Sequence, residues 1–210
     1  MLVRTGDIRG ISFAPSGDAL AYARDSGRTG TDYRPDIFSV RIANGRISRL
    51  TGDGHSGEPV WGPTSIAYRH YVRTTWPQVG GTWLMWRDGS GKHPFARGDQ
   101  NRRHAHYGLM PVEFSRDGKR LLACTVAEFG CSPVTFFVAT KQRHAFSVGE
   151  FPRHTHGLLA PEDMSGDGRS LLVWIGSVDG AAADDIYAVP FAGGKARLVA
   201  HNADWAGWRD

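Results

Sequence analysis

Short, largely apolar runs separated by polar turns follow one another along the chain, too brief for helices and rich in Val, Ile, Phe, Tyr and Trp. "ALAYAR", "SIAYRHY", "RLLACTV" and "SLLVWI" form one set. "DIFSVR", "TWLMW", "TFFVAT" and "DIYAVP" form a second, and "ISRLT", "HPFA", "HAFSV" and "ARLVA" a third. Their shortness and their β-branched and aromatic content predict strands. Turn residues separate them: Ser16-Gly17, Asp117-Gly118 and Asp167-Gly168 before the first set, Asn44-Gly45, Asp88-Gly89 and Gly193-Gly194 before the third. Such pairs tolerate positive φ and predict tight hairpins. No amphipathic stretch of helical length competes.

The runs repeat as a unit. A large apolar residue precedes each corner, at Phe13, Trp61, Phe114 and Met164, about every 50 residues, and Trp205 follows about 40 residues on. That period suits a four-stranded antiparallel blade. The prediction is an all-β chain, a β-propeller with four complete four-stranded blades at residues 9–56, 57–108, 109–156 and 157–203. Residues 1–6 read as the last strand of a preceding blade and 204–210 as the first strand of a following one. A partial or open ring is therefore expected, a fragment of a larger propeller. The alternative has the two ends pairing to close a small ring. Two departures are expected. "GPTSIAY" lacks the Asp-Gly turn, which shortens the first hairpin of the second blade, and "TKQR" replaces a glycine turn in the third.

Composition narrows the class. The 210 residues are 40% hydrophobic and 22% charged, a globular balance, and the net charge of +4 is too diffuse to imply a nucleic-acid partner. No apolar run is long enough to span a membrane. Cys124 and Cys131 flank a predicted hairpin tip, where they are either a cross-strand disulfide or two separate buried thiols.

A meander sends alternate turns to opposite ends of its sheet. The tight glycine turns share one end, where little room for chemistry is expected. The second-to-third loops and the blade-to-blade connections share the other. Those connections carry His55, His104, His106, His154, His156 and His201. Converging neutral imidazoles would hold a divalent transition metal such as Zn, Mn, Fe or Ni, with Glu58, Glu113, Glu162 and Asp163 near in sequence. Solvated loop histidines and simple duplication account for the same placement. Arg34, Arg69, Arg73, Arg102, Arg103 and Arg153 fall at this end, and guanidinium groups grip carboxylate or phosphate in a fork. Tyr33, Trp76 and Tyr107 are candidate stacking surfaces, while Trp83 and Trp86 read as packing residues of a third strand. The ligand-binding expectation is Arg34, Arg73, Trp76, Arg102, Arg103, Tyr107 and Arg153. No nucleophile elbow, phosphate loop, dinucleotide fingerprint or Cys-Xaa-Xaa-Cys pair occurs, so no catalytic residue is assigned.

The stretches "FAPSGDALAYAR", "DIFSVRIANGRISRLT", "FSRDGKRLLA", "SGDGRSLLVW" and "DIYAVPFAGGKARLV" resemble the TolB-type propeller repeat, a WD40-like family. The resemblance covers nearly the whole chain, and its motif residues are structural. It implies a non-enzymatic scaffold that presents one rim or channel mouth to a protein or peptide partner, in an envelope, periplasmic or otherwise extracytoplasmic setting. An anionic glycan is the other partner class, suggested by the arginines. Similar repeats also build metal-dependent lyases acting on oligogalacturonides. They build the propeller portion of prolyl-oligopeptidase-like peptidases as well, whose catalytic domain would lie outside these residues.

Overall fold

The computed structural model describes residues 8–26, 33–75, 78–97, 107–127, 130–151, 157–176, 184–203 and 206–208. They form four sheets of four strands, each an antiparallel meander in chain order. The first holds β1 (Ile8–Phe13), β2 (Ala19–Asp25), β3 (Pro35–Arg41) and β4 (Ile47–Arg49). The second holds β5 (Ser56–Trp61), β6 (Ser65–Arg73), β7 (Val79–Trp86) and β8 (His93–Ala96). The third holds β9 (Leu109–Phe114), β10 (Arg120–Ala127), β11 (Gly130–Phe137) and β12 (Arg143–Ala145). The fourth holds β13 (Leu158–Met164), β14 (Ser170–Gly176), β15 (Asp185–Pro190) and β16 (Arg197–His201). Helix among the described residues is confined to a 3-10 turn at Val148–Glu150, and no helix there is long and apolar enough to cross a membrane. The strand expected at residues 1–6 lies outside the described residues, as does Trp205 of the one expected at 204–210.

Turn chemistry sets the hairpins. Gly17, Gly118 and Gly168 adopt positive φ, and each N–H donates to a carbonyl three residues back, on Ala14, Ser115 and Ser165. In the third sheet the Asp117 carboxylate accepts from the Ser115 hydroxyl (2.7 Å) and the Lys119 N–H (3.0 Å). Asp167 repeats this in the fourth, from Ser165 (2.7 Å) and Arg169 (2.9 Å). The second sheet departs as expected: Gly62–Thr64 join β5 to β6, and the Gly62 N–H donates to the Ser65 carbonyl at 2.8 Å. The "TKQR" turn keeps the backbone of its glycine counterparts. Lys141 takes φ 56 where Gly45 takes φ 67, and each N–H reaches the last residue of the third strand, Phe137 or Arg41.

The chain divides into two compact units, residues 1–100 with 107–111, and residues 101–106 with 112–210. In the first, β5 packs on β1, β2 and β3. Ala21 is small enough to admit it, and with Ile37, Leu50, Ile66, Tyr68 and Met85 forms one buried cluster. Tyr22, Phe38 and Val40 form another. In the second unit β13 packs on β10 and β11, around Leu122, Leu171, Val173, Ile175, Tyr187 and Val189. Burial of each such side chain contributes about 1.5–3 kcal/mol. Β-branched and aromatic residues at alternate positions supply both faces.

Cys124 and Cys131 are joined as a disulfide with Cα atoms 5.2 Å apart. Cys124 pairs in register with Pro133 and Cys131 with Val126, so the bridge runs diagonally and clamps the hairpin of β10 and β11. One packing expectation changes. Trp86 is 56% exposed rather than packed, because it ends β7 at the Arg87–Ser90 turn and lies beside Gly91. Phe13 is 60% exposed, unlike its buried counterparts Phe114 and Met164.

The Lys141 position yields a stability prediction. A side chain at positive φ costs about 1–2 kcal/mol, part of which glycine's extra unfolded-state freedom offsets. Lys141→Gly should stabilise the protein by about 0.5–1 kcal/mol, read as a melting temperature raised by roughly 1–4 °C. Gly45→Ala, whose new Cβ would meet nothing within 4 Å, should lower it through φ alone. A lower melting temperature for Lys141→Gly would contradict this account.

Candidate functional site

The loop end of the first unit is organised by a buried carboxylate. Asp36, in β3, is 3% exposed. It accepts from the Arg49 guanidinium (2.7 Å), the Thr51 hydroxyl (3.1 Å) and the Gly54 N–H (3.1 Å). Thr51 in turn accepts from the Ile37 N–H at 2.9 Å. These bonds draw the connection after β4 back onto β3, and so fix where Asp53 and His55 stand.

Beyond the anchor lies a floor of aromatic and charged groups. β1 and β5 both bulge here, at Arg9–Ile11 and at Gly57–Val60. Gly10 (φ 58) lets the two backbones meet, since a Cβ there would lie 3.1 Å from the Glu58 Cα. Glu58 itself adopts φ 45, an unfavourable conformation for a side-chain-bearing residue. Its carboxylate accepts from the Tyr71 hydroxyl at 2.6 Å. Tyr33 meets Tyr71 edge to face, with centroids 5.5 Å apart, and the Arg9 guanidinium lies 5.1 Å from the Tyr33 ring. Burial raises the Glu58 carboxyl above the ordinary range, while the Tyr71 hydroxyl and the Arg69 and Arg9 charges pull the other way. Burial and the Glu58 charge push the Tyr33 hydroxyl up to about 12.

A second cluster flanks this floor. The Asp53 carboxylate accepts from the His55 N–H (2.9 Å) and the Ser56 hydroxyl (3.0 Å), and faces His70 Nε2 at 3.3 Å. Burial would raise this carboxyl, but these hydrogen bonds outweigh it and hold Asp53 well below the usual carboxylate range. The His70 ring stacks on Trp83 at 4.4 Å and lies 6.2 Å from the His55 ring. His55 Nδ1 is 3.1 Å from the Tyr71 carbonyl.

The structure brings several expected residues to this end of the first unit. His55 opposes Tyr71 in the β5–β6 ladder, Arg73 ends β6, and a Cβ on Gly54 would touch Arg34 at 3.5 Å. Tyr107 enters through its carbonyl, which accepts from Arg69 (2.9 Å) and from the Gly80 N–H (3.1 Å). Arg34 and Arg73 are exposed and His55 half-buried. Two expectations change. Tyr33 is no open platform: it is 6% exposed, because Tyr71 covers it. Arg69 is 5% exposed and bonds the Gln78 and Tyr107 carbonyls, so it ties loops together.

The remaining residues divide otherwise. His201, in the second unit, bonds the buried Asp185 through Nδ1. Glu113 accepts from the Met164 N–H (3.1 Å) and Asp163 from the Trp208 N–H (2.7 Å). Trp76, Arg102, Arg103, His104, His106, Arg153, His154 and His156 lie outside the described residues. Among the described residues no group of three or more His, Cys, Asp or Glu side chains is placed to hold a metal ion. Sequence reading missed Tyr71, Arg9 and the Asp53–His70 pair. Their one signal is position: each lies at the loop end of a strand or beside a connection.

Glu58 makes stability depend on pH. The native state holds its proton more tightly than the unfolded chain does. The contribution is therefore complete below the unfolded value, near 4.5, and is lost as pH rises through the raised folded value. Glu58→Gln keeps an acceptor for Tyr71 and removes the titration. Its melting temperature relative to wild type should climb as pH rises above about 4.5. An offset independent of pH would show that Glu58 does not titrate abnormally.

Solved structures share this architecture. The chain matches TolB from Acinetobacter baumannii at 12% identity with a TM-score of 0.63, over 94% of this chain and 44% of that one. It matches an oligogalacturonate lyase in complex with manganese at 15% identity and a TM-score of 0.60, over 92% and 53% of the two chains. It matches the β-propeller domain of the Trilobed protease from Pyrococcus furiosus at 12% identity and a TM-score of 0.58, over 93% and 57%. The chain thus spans about half the length of these three neighbours. No protein-family model matches the sequence, and no curated protein matches it. Four four-stranded antiparallel sheets with these neighbours define the fold as that of the TolB-type β-propellers.

Proposed function

We propose that this chain is a binding scaffold of the TolB-type propeller class, not a catalyst, and that the loop end of its first unit receives a protein or peptide partner carrying carboxylates. The observation that supports the reading is that Arg34, His55 and Arg73, from three separate segments, all lie at the loop end of this unit, beside a floor fixed by Asp36 and by the Tyr71–Glu58 bond. Guanidinium groups on a rigid base suit carboxylate recognition, because little side-chain and loop ordering is left for the moment of binding.

Hexaglutamate peptide is a direct probe. Titration calorimetry at low salt should show binding that weakens as salt rises, since exposed charges are screened. Arg34→Gln with Arg73→Gln should reduce affinity about tenfold, or roughly 1.4 kcal/mol, without lowering the melting temperature. Absence of binding, or equal binding by the double variant, would overturn the proposal.

A second reading, a metal-dependent enzyme, is supported by the manganese-bound neighbour and by His55. In the tautomer donating from Nδ1 to the Tyr71 carbonyl, Nε2 keeps a lone pair for a metal. The other histidines expected to join it are His104, His106, His154 and His156, which lie outside the described residues, and His201, which bonds Asp185. Elemental analysis after incubation with Mn²⁺ or Zn²⁺ tests it. Stoichiometric metal that is lost in His55→Ala supports the reading, and metal-free protein removes it.

A further inference from the structure

The tight-turn end of the second unit was expected to leave little room, yet it holds a cleft of about 540 Å³ between the β9–β10 turn and the β13–β14 turn. That volume lies within the range of small-molecule sites, about 300–1,000 Å³. Four cations line it. Arg116, Lys119 and Arg120 come from the first turn and Arg169 from the second. Phe137 forms an apolar wall.

Two carboxylates also line the cleft, and both are engaged in building the turns. Asp117 accepts from Ser115 and Lys119, and Asp167 from Ser165 and Arg169, through one oxygen each. Their side-chain approaches to cations are long, 3.8 Å from Asp117 to Lys119 and 3.9 Å from Asp167 to Arg169. The Lys119 and Arg169 side chains remain 79% and 78% exposed. Arg120 is held more firmly. Its guanidinium donates to the Asp167 carbonyl (3.3 Å) and lies 5.7 Å and 5.8 Å from the Phe137 and Phe191 ring centroids. It therefore spans from one turn to the next with its orientation set by the two rings.

The fold does not require these cations. The β1–β2 turn has the same backbone, with the Gly17 N–H on the Ala14 carbonyl. It carries Pro15, Asp18 and Ala19 where the third sheet carries Arg116, Lys119 and Arg120. The β5–β6 turn, Gly62–Thr64, has no cation. Positive charge is thus concentrated on the one pair of turns that encloses the cleft, at positions where turn geometry is indifferent to it.

We infer that this cleft binds a small molecule bearing two neighbouring oxyanion groups, phosphate or carboxylate, with one held from each turn. Arg120 stands between them as the oriented donor, and Arg116, Lys119 and Arg169 close around the charge. The site is independent of the proposed recognition surface, which lies at the loop end of the other unit.

Pyrophosphate and citrate serve as probes, one for each oxyanion chemistry. Titration calorimetry at about 25 mM NaCl should give a Kd below about 1 mM for at least one of them. The tighter of the two names the group recognised. Lys119→Gln with Arg169→Gln, both at exposed side chains, should weaken binding at least about tenfold with the melting temperature unchanged. Arg34→Gln with Arg73→Gln should leave it unaltered, which separates this site from the first-unit surface. Failure of both probes to bind, or undiminished binding by the Lys119/Arg169 variant, would overturn the inference.

Discussion

One buried carboxylate governs the loop end of the first unit. Strand β4 is only three residues long and fully exposed, so its ladder alone would hold it weakly. Asp36 supplements that ladder by gathering the Thr51 hydroxyl, the Gly54 N–H and the Arg49 guanidinium onto β3. The carboxylate has little access to water, and these donors replace hydration, which makes the contact stable only while all the partners hold their places. The connection that follows therefore leaves in a fixed direction. His55 and Asp53 inherit that direction, and the contacts of His55 with Tyr71 and of Asp53 with His70 follow from it. The second unit uses a related device. Asp185, also at the start of a third strand and also buried, is met by His201 instead of by a threonine and an arginine.

The two ends of the sheets use charge differently. At the loop end of the first unit, Glu58 and Arg69 are drawn inward and tied to Tyr71 and to backbone carbonyls, leaving a rigid floor beneath exposed arginines. At the tight-turn end of the second unit, the carboxylates are locked into the turns and the cations face a cleft. In both places a short polar network ties down the carboxylates, and exposed cations lie beside it. Rigid turns and connections then present charge at a low entropic cost of ordering.

The architecture was legible because its signals are local. The short apolar runs "ALAYAR" and "SLLVWI" and the glycine turns at Gly17, Gly118 and Gly168 are readable within a few residues, and the four sheets follow. Even the exceptions could be read: the missing Asp-Gly of "GPTSIAY" became the short Gly62–Thr64 link. The site was legible only in part. Arg34, His55 and Arg73 lie at the loop end because a meander fixes which loops share it. Tyr33 was misjudged as an open platform and the tight-turn end as lacking room. Neither outcome is local. Tyr33 is covered by Tyr71 from another sheet, and the cleft exists between turns that are about 50 residues apart.

Sequence by itself determined the strands, their hairpins and the end at which each loop emerges, since these depend on backbone preferences and on the two-residue period of side-chain direction. Tertiary structure decided which polar side chains stay in water. Tyr71 covers Tyr33, and the Gln78 and Tyr107 carbonyls hold Arg69 inside, while Arg34 and Arg73 stay outside. The reason is that burial is a property of what lies on top of a residue, and that is set by sheet-on-sheet packing rather than by the residue's own neighbours in the chain.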